Sequence, residues 1–367
     1  MTEVKKPRDP GLDLIRATAA FLVLSVHFFS RIGFYVQPMV GKRMLLMCMM
    51  RMGFMTCVPL FLLLTGYLCR KKELSRRYYG GIVRILMTYL LCGLVCLGVR
   101  ACGGETLRLG DVWKELLGYT AAPYGWYIEM YIGLFLLIPF LNLIWKGLEG
   151  KRGRLALIGT LLVLVTLPAV TNDLGNILPT VANDLGNVLP GWWAGFYPLL
   201  YYFLGAWLGE YQPRPDWKKT VAALLAVTAL AGGTAYLIGV YNPAHVFVWG
   251  RILDYGGPFV VAEAFLLFLL LRQIPMEKAP GWLRWIVGKC AGLSLGIYLL
   301  SWCFDMALYP ILTARVPGML DRLVWFPVMV PAVFLCSALA AQIVEWVRRG
   351  LARMMSQFNR SIKRRIT

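Results

Sequence analysis

The sequence predicts an all-α, polytopic integral membrane protein, a helical bundle of about ten transmembrane helices with both termini cytoplasmic. Three observations predict it. Hydrophobic residues are 59% of the 367 and charged residues only 16%, with a mean hydropathy of +0.62. A soluble domain carries nearer about a quarter of charged residues. Many apolar runs reach roughly 18 residues, the length that crosses a bilayer core as a helix. The formal charge of +19 comes from Lys and Arg gathered at the ends of those runs. That is the pattern of membrane topology and anionic headgroups, and it argues against a nucleic-acid partner.

The spans are expected, in order, at 13–34, 50–69, 79–101, 125–145, 155–171, 195–211, 220–240, 253–271, 290–309 and 324–346. The first lacks an A-x-A-like cleavage site and holds a histidine near its centre, so it is read as a true span and not as a signal peptide. In the second, "MLLMCMMRMGFM" (44–55) is also apolar, but Arg51 moves the expected start of the buried part to 50. "RKKELSRR" (70–77) precedes the third, and "KGLEGKRGR" (146–154) joins the fourth to the fifth. The next loop contains a duplication, "NDLGNILP" at 172–179 and "NDLGNVLP" at 183–190. One period repeated twice is not a solenoid, and its Asn, Asp, Gly and Pro favour turns. "GWWAGFYPLLYYF" (191–203) reads as an aromatic belt leading into the sixth span. "YQPRPDWKK" (211–219) precedes the seventh, and the basic segment 272–289 separates the eighth from the ninth. A membrane domain over 1–347 is expected to be followed by a short basic tail, 348–367, lying as a helix on the inner leaflet. The N-terminus, these basic connections and the tail hold 26 of the 38 Lys and Arg, which places them in the cytoplasm and the chain in the plasma membrane. The nine cysteines contain no C-x-x-C pair, and Cys92 and Cys96, on one helix face, are read as packing residues.

Ionisable groups inside spans are costly and are functional candidates. "RATAAFLVLSVHFF" (16–29) carries two of them, Arg16 and His27. Eleven residues at about 100° each bring both to one helix face, about 16 Å apart along the axis. Neutral imidazole is cheaper to bury than a carboxylate, and its ordinary pKa of about 6.5 suits proton transfer. Arg84 lies a turn inside the third span, with Arg77 seven residues before it on the same face; with Arg70, Lys71, Lys72 and Arg76 they form a basic cluster suited to phosphates. Glu129, Asp254, Glu263 and Asp305 are the acids within expected spans, and each is a candidate to orient His27 or pair with an arginine. His245, in "YNPAHVFVW", is read as a surface residue. Metal-ligand spacing, the Walker A pattern, a nucleophile-elbow serine and a dinucleotide fingerprint do not occur.

Arg16 and His27 have the spacing found in the first span of the membrane-bound acyltransferase-3 family, and three further stretches follow in family order. "VPLFLLLTGYLC" (58–69) has Thr65, Gly66 and Tyr67 where the family has S-G-Y; "GWYIEMYIGLFLLIP" (125–139) matches from Trp126 to Pro139; "LSLGIYLL" (293–300) matches S-x-G-I-Y-L. The chain therefore resembles that family, whose members O-acylate bacterial surface glycans, lipids and small secreted molecules. It departs at Gly81, where the family often has the first arginine of Arg-x-x-Arg, and at Ser301, where a histidine is common. Many relatives add a C-terminal esterase-like domain, and none is read here.

The resemblance implies an O-acetyltransferase type of reaction. The donor would be acyl-CoA, most often acetyl-CoA, used as a substrate with no permanently bound cofactor and no metal. It implies catalysis by His27, as general base or as transient carrier of the acyl group, with Arg16, donor contacts from Arg84, Arg77 and Tyr67, and acceptor contacts from Trp126 and Glu129. Partners would be membrane lipid, a surface glycan or small hydroxylated acceptor, and a separate extracytoplasmic transferase. Two other classes stay open on the residues: a proton-coupled transporter or flippase using His27, and a non-catalytic membrane module serving a separate enzyme.

Overall fold

The structure is a computed structural model that describes residues 8–173 and 188–366. Every regular element among the described residues is helical. In chain order the helices are α1 (Pro10–Arg31), α2 (Gly41–Phe54), α3 (Cys57–Cys69), α4 (Arg76–Gly80), α5 (Ile82–Cys102), α6 (Leu109–Leu117) and α7 (Trp126–Gly147). They continue with α8 (Gly150–Thr171), α9 (Tyr197–Tyr211), α10 (Trp217–Tyr241), α11 (Pro258–Gln273), α12 (Gly281–Arg315) and α13 (Phe326–Ile366). Nine stretches of the described residues are helical, long and apolar enough to cross a membrane. Leu339, at 70% exposure, and Leu225, at 65%, are typical of the apolar side chains on the bundle's outer surface. Water would not tolerate so broad an apolar surface, whereas lipid matches it. The protein is a multi-pass helical membrane bundle.

Helix α1 is the central element and packs on α2, α3, α11, α12 and α13. Asp9 starts it, accepting from the backbone N–H of Gly11 at 2.9 Å and Leu12 at 3.2 Å, with Pro10 in the first turn. Its ends are tied to opposite ends of the bundle. Asp9 pairs with Arg272 at 3.1 Å at the basic end, and Arg322 donates to the Ile32 carbonyl at 2.7 Å at the other. Arg16 and His27 are thereby held inside the protein and not against lipid.

The expected sixth span, 195–211, is the 15-residue helix α9, preceded by a 3₁₀ segment at Gly191–Phe196. At 1.5 Å per residue it covers about 22 Å, less than a bilayer core of about 30 Å. It is a short inner helix pressed on α3, backbone against backbone. A methyl group at Gly66 would collide with the Tyr202 carbonyl, and one at Gly205 with the Leu63 carbonyl. Small residues at such crossings are what lets membrane helices approach closely. Gly205→Val is therefore expected to cost more than about 2 kcal/mol by overpacking, read as loss of the monodisperse peak in size-exclusion chromatography.

Three expectations are corrected. Arg51 does not delay the second span: α2 begins at Gly41, and Arg51 is 0% exposed within it. Its charge is taken up by the rings of Trp249 at 4.4 Å and Phe247 at 4.6 Å and by the Leu253 carbonyl at 3.3 Å. Asp254 is not in a span; it lies in the loop before α11 and accepts from the Tyr255 N–H at 2.7 Å. The tail is not a separate helix, because α13 runs unbroken to Ile366. Cys92 and Cys96 are fully buried, as packing residues should be, with Cys96 Sγ 3.7 Å from Cys303 Sγ. The duplicated loop lies largely outside the described residues.

Candidate active site

The exposed arginines and the buried polar groups of α1 and its neighbours define two adjoining zones. The first is a cavity of about 430 Å³ that starts at the basic end and runs inward beside α1. Arg8, Arg84 and Glu345 stand at its mouth, Arg16 and Thr65 on its wall, and Val23, Tyr127 and Tyr298 at its inner end. Asp13, the acid nearest Arg16 along the helix, is already paired with Arg8. Arg16 makes no hydrogen bond or close ion pair with another described residue, so its guanidinium donors face the cavity. Tyr127 and Tyr298 meet edge to face, with centroids 6.2 Å apart, and the Tyr298 hydroxyl is buried without a hydrogen-bond partner.

The second zone begins one helical turn beyond Val23, about 6 Å further along α1, at His27. Its imidazole lies on the ring of Tyr124, centroids 3.8 Å apart. Asp305, from α12 and 2% exposed, places Oδ2 4.0 Å from His27 Nδ1 and 3.8 Å from Arg31 Nε. Tyr124 donates its hydroxyl proton to Asp305 Oδ2 at 2.7 Å and accepts from Arg31 at 2.8 and 3.0 Å. One carboxylate is thus shared by a guanidinium, a phenol and an imidazole. His27 Nδ1 is buried and has no hydrogen-bond partner, while 16% of the side chain stays accessible. Such a ring is placed to take a proton and to be stabilised by Asp305 once it has one. Catalytic hydrogen bonds are often long before substrate closes the site.

Of the four acids the sequence offered, Asp305 is the one beside His27. Glu263 is fully buried, with both carboxyl oxygens lacking a hydrogen-bond partner. Glu129 is exposed in the first turn of α7, where the helix dipole favours an acid, and is outside the cavity wall. Arg84 is 62% exposed and 3.9 Å from Glu345, which also accepts from Arg348 at 2.8 Å and Arg349 at 2.7 Å. Arg77 is exposed on α4 and does not line the cavity. Tyr67 lines a different cavity on the other side of α3. Trp126 is exposed and stacks on Tyr255, centroids 5.8 Å apart. His245 is a surface residue, with Nδ1 2.8 Å from the Val240 carbonyl. Ser301 is buried and donates to the Tyr298 carbonyl at 2.8 Å, so its hydroxyl is engaged by its own helix.

Sequence reasoning missed Arg31, Tyr124, Tyr298 and Glu345. Arg31 carried a usable signal, since it follows His27 by four residues on the same face. Tyr124 sits in "AAPYGW", a turn with no periodicity to reveal its direction. No cluster of three His, Cys, Asp or Glu able to hold a metal occurs among the described residues.

A family profile described as an acyltransferase domain matches residues 9–342, and no curated protein and no solved structure matches the chain.

Proposed function

The chain belongs to the acyltransferase-3 family and is a membrane acyltransferase, and from that premise we propose that it moves a short acyl group, acetyl in the simplest case, from cytoplasmic acyl-CoA to a hydroxyl of a cell-surface glycan or related acceptor. The observation that carries this reading is the alignment on α1. Arg16 faces a cavity open at the basic end, and His27, beside Asp305, follows one turn past that cavity's inner end. The basic end would face the cytoplasm, where Lys and Arg of membrane proteins concentrate.

In this reaction the acceptor hydroxyl gives its proton to His27 as its oxygen bonds to the thioester carbonyl carbon. The carbon–sulfur bond then breaks, and the imidazolium returns the proton to the leaving thiolate of CoA. Histidine ends neutral, and the atoms balance. Asp305 stabilises the transient imidazolium; Tyr124 and Arg31 hold Asp305 in place. Arg16 attracts the anionic donor into the cavity and holds its charged part on the basic side of the reacting thioester. The rings of Tyr127 and Tyr298 leave little depth beyond the cavity, which favours a short acyl chain. The stacked Trp126 and Tyr255 offer a flat apolar face of the kind that sugars lie on.

The test is CoA release from acetyl-CoA by the purified chain in nanodiscs with surface glycan present. Arg16→Ala is expected to raise KM for acetyl-CoA about tenfold or more, because a half-buried guanidinium without a partner loses its whole interaction. Arg84→Ala is expected to raise it only about two- to threefold, since Arg84 is largely exposed and already beside Glu345. An unchanged KM in Arg16→Ala would remove the donor from this cavity.

A further inference from the structure

Thr65, Leu68 and Cys69 of α3 face the Arg16 cavity; Tyr67, between them in sequence, faces a second one of about 400 Å³ at the basic end. The reaction described above uses none of the second cavity's side chains. Its lining holds the guanidinium groups of Arg214 and Arg272 and the amides of Gln212 and Gln273, with Glu277 as its acid. Tyr67, 7% exposed, lies between two cations, Arg70 at 5.3 Å and Arg272 at 5.6 Å from its ring centroid. Asp9 holds both terminal nitrogens of Arg272, at 3.1 and 3.2 Å, which orients the group and leaves its Nε edge for a ligand. Arg214 is exposed and has no hydrogen bond or ion pair with another described residue. Gln212 turns the chain out of α9 with a φ of 43°, a left-handed conformation that a non-glycine residue adopts at an energetic cost. That turn is what brings Gln212 and Arg214 to the cavity.

We infer that this second cavity binds a phosphate group, gripped between Arg214 and Arg272 with Gln212 as a further donor. The planar guanidinium fork matches phosphate oxygens two at a time. With Asp9 pairing Arg272, the unmet positive charge of the lining is that of Arg214, facing Glu277, which suits a single phosphate and not an extended polyanion. The cavity is at the end of the bundle where headgroups of one leaflet lie, and exposed Lys218 and Lys219 follow in the first turn of α10. The phosphate therefore belongs either to an anionic phospholipid headgroup or to a soluble phosphoester.

The test measures the melting temperature of the full chain in detergent micelles with two probes: phosphatidylglycerol, compared with phosphatidylcholine at equal lipid content, and adenosine 3′,5′-bisphosphate. A rise of about 3 °C is expected with at least one of them. A rise with phosphatidylglycerol alone assigns a lipid headgroup; a rise with the bisphosphate assigns a soluble phosphate. Arg214→Glu, at an exposed position, should abolish the rise, and Arg108→Glu, at an exposed position just before α6 that lines neither cavity, should leave it intact. An equal rise in wild type and Arg214→Glu, or no rise with either probe, would overturn the inference. So would a bisphosphate effect lost in Arg84→Ala but kept in Arg214→Glu, which would place the phosphate in the Arg16 cavity.

Discussion

His27→Ala is expected to lower the rate of acetyl transfer by at least about a hundredfold while the protein stays folded in the membrane. His27 sits at a seam of α1, α12 and the turn before α7 and makes no hydrogen bond through Nδ1, so truncation removes a ring and breaks no hydrogen bond at that nitrogen. The loss should fall on kcat, because the donor's charged part is held about 16 Å away at Arg16 and beyond. His27→Gln, which keeps polarity but cannot carry the proton, should be equally inactive. Transfer at the wild-type rate in either variant would remove His27 from the chemistry.

Asp305→Asn is expected to cost roughly a hundredfold in kcat with little change in KM for the donor. The amide keeps the size of the carboxylate and can still accept from the Tyr124 hydroxyl, now 2.7 Å from Oδ2. What it loses is charge. His27 would have no anion to stabilise its protonated form, and Arg31, 3.8 Å from the carboxylate, would lose its counter-ion in a buried setting. Tyr124→Phe should be milder, because it removes one donor to Asp305 and leaves the charge in place. A rate in Asp305→Asn equal to wild type would mean that His27 works without the acid.

The membrane bundle and the axis of the site were legible in the sequence because both rest on one-dimensional periodicity. Eleven residues between Arg16 and His27 fix their shared face whatever α1 packs against. The helix packing also explains what was not legible. Four acids had equal claims on His27, and only the approach of α12 to α1 selects Asp305. Arg51 looked too polar for a buried helix because its aromatic enclosure comes from residues about two hundred positions away, Phe247 and Trp249. The sixth apolar run was legible as a helix, but its close packing on α3 through Gly66 and Gly205 was not. Tyr67 stands in a motif stretch with Thr65, but successive helix residues point about 100° apart, and the two serve different cavities.

The central claim is that the acyl group alone moves past His27 while CoA stays on its own side. Sealed proteoliposomes loaded with acetyl-CoA, labelled separately in the acetyl group and the adenine ring, test it with hydroxylamine outside as the acyl trap. The account predicts that acetyl label leaves as the hydroxamate and adenine label stays inside, with His27→Ala vesicles retaining both. Both labels leaving together, or wild-type vesicles keeping acetyl label as well as the His27→Ala vesicles do, would contradict it.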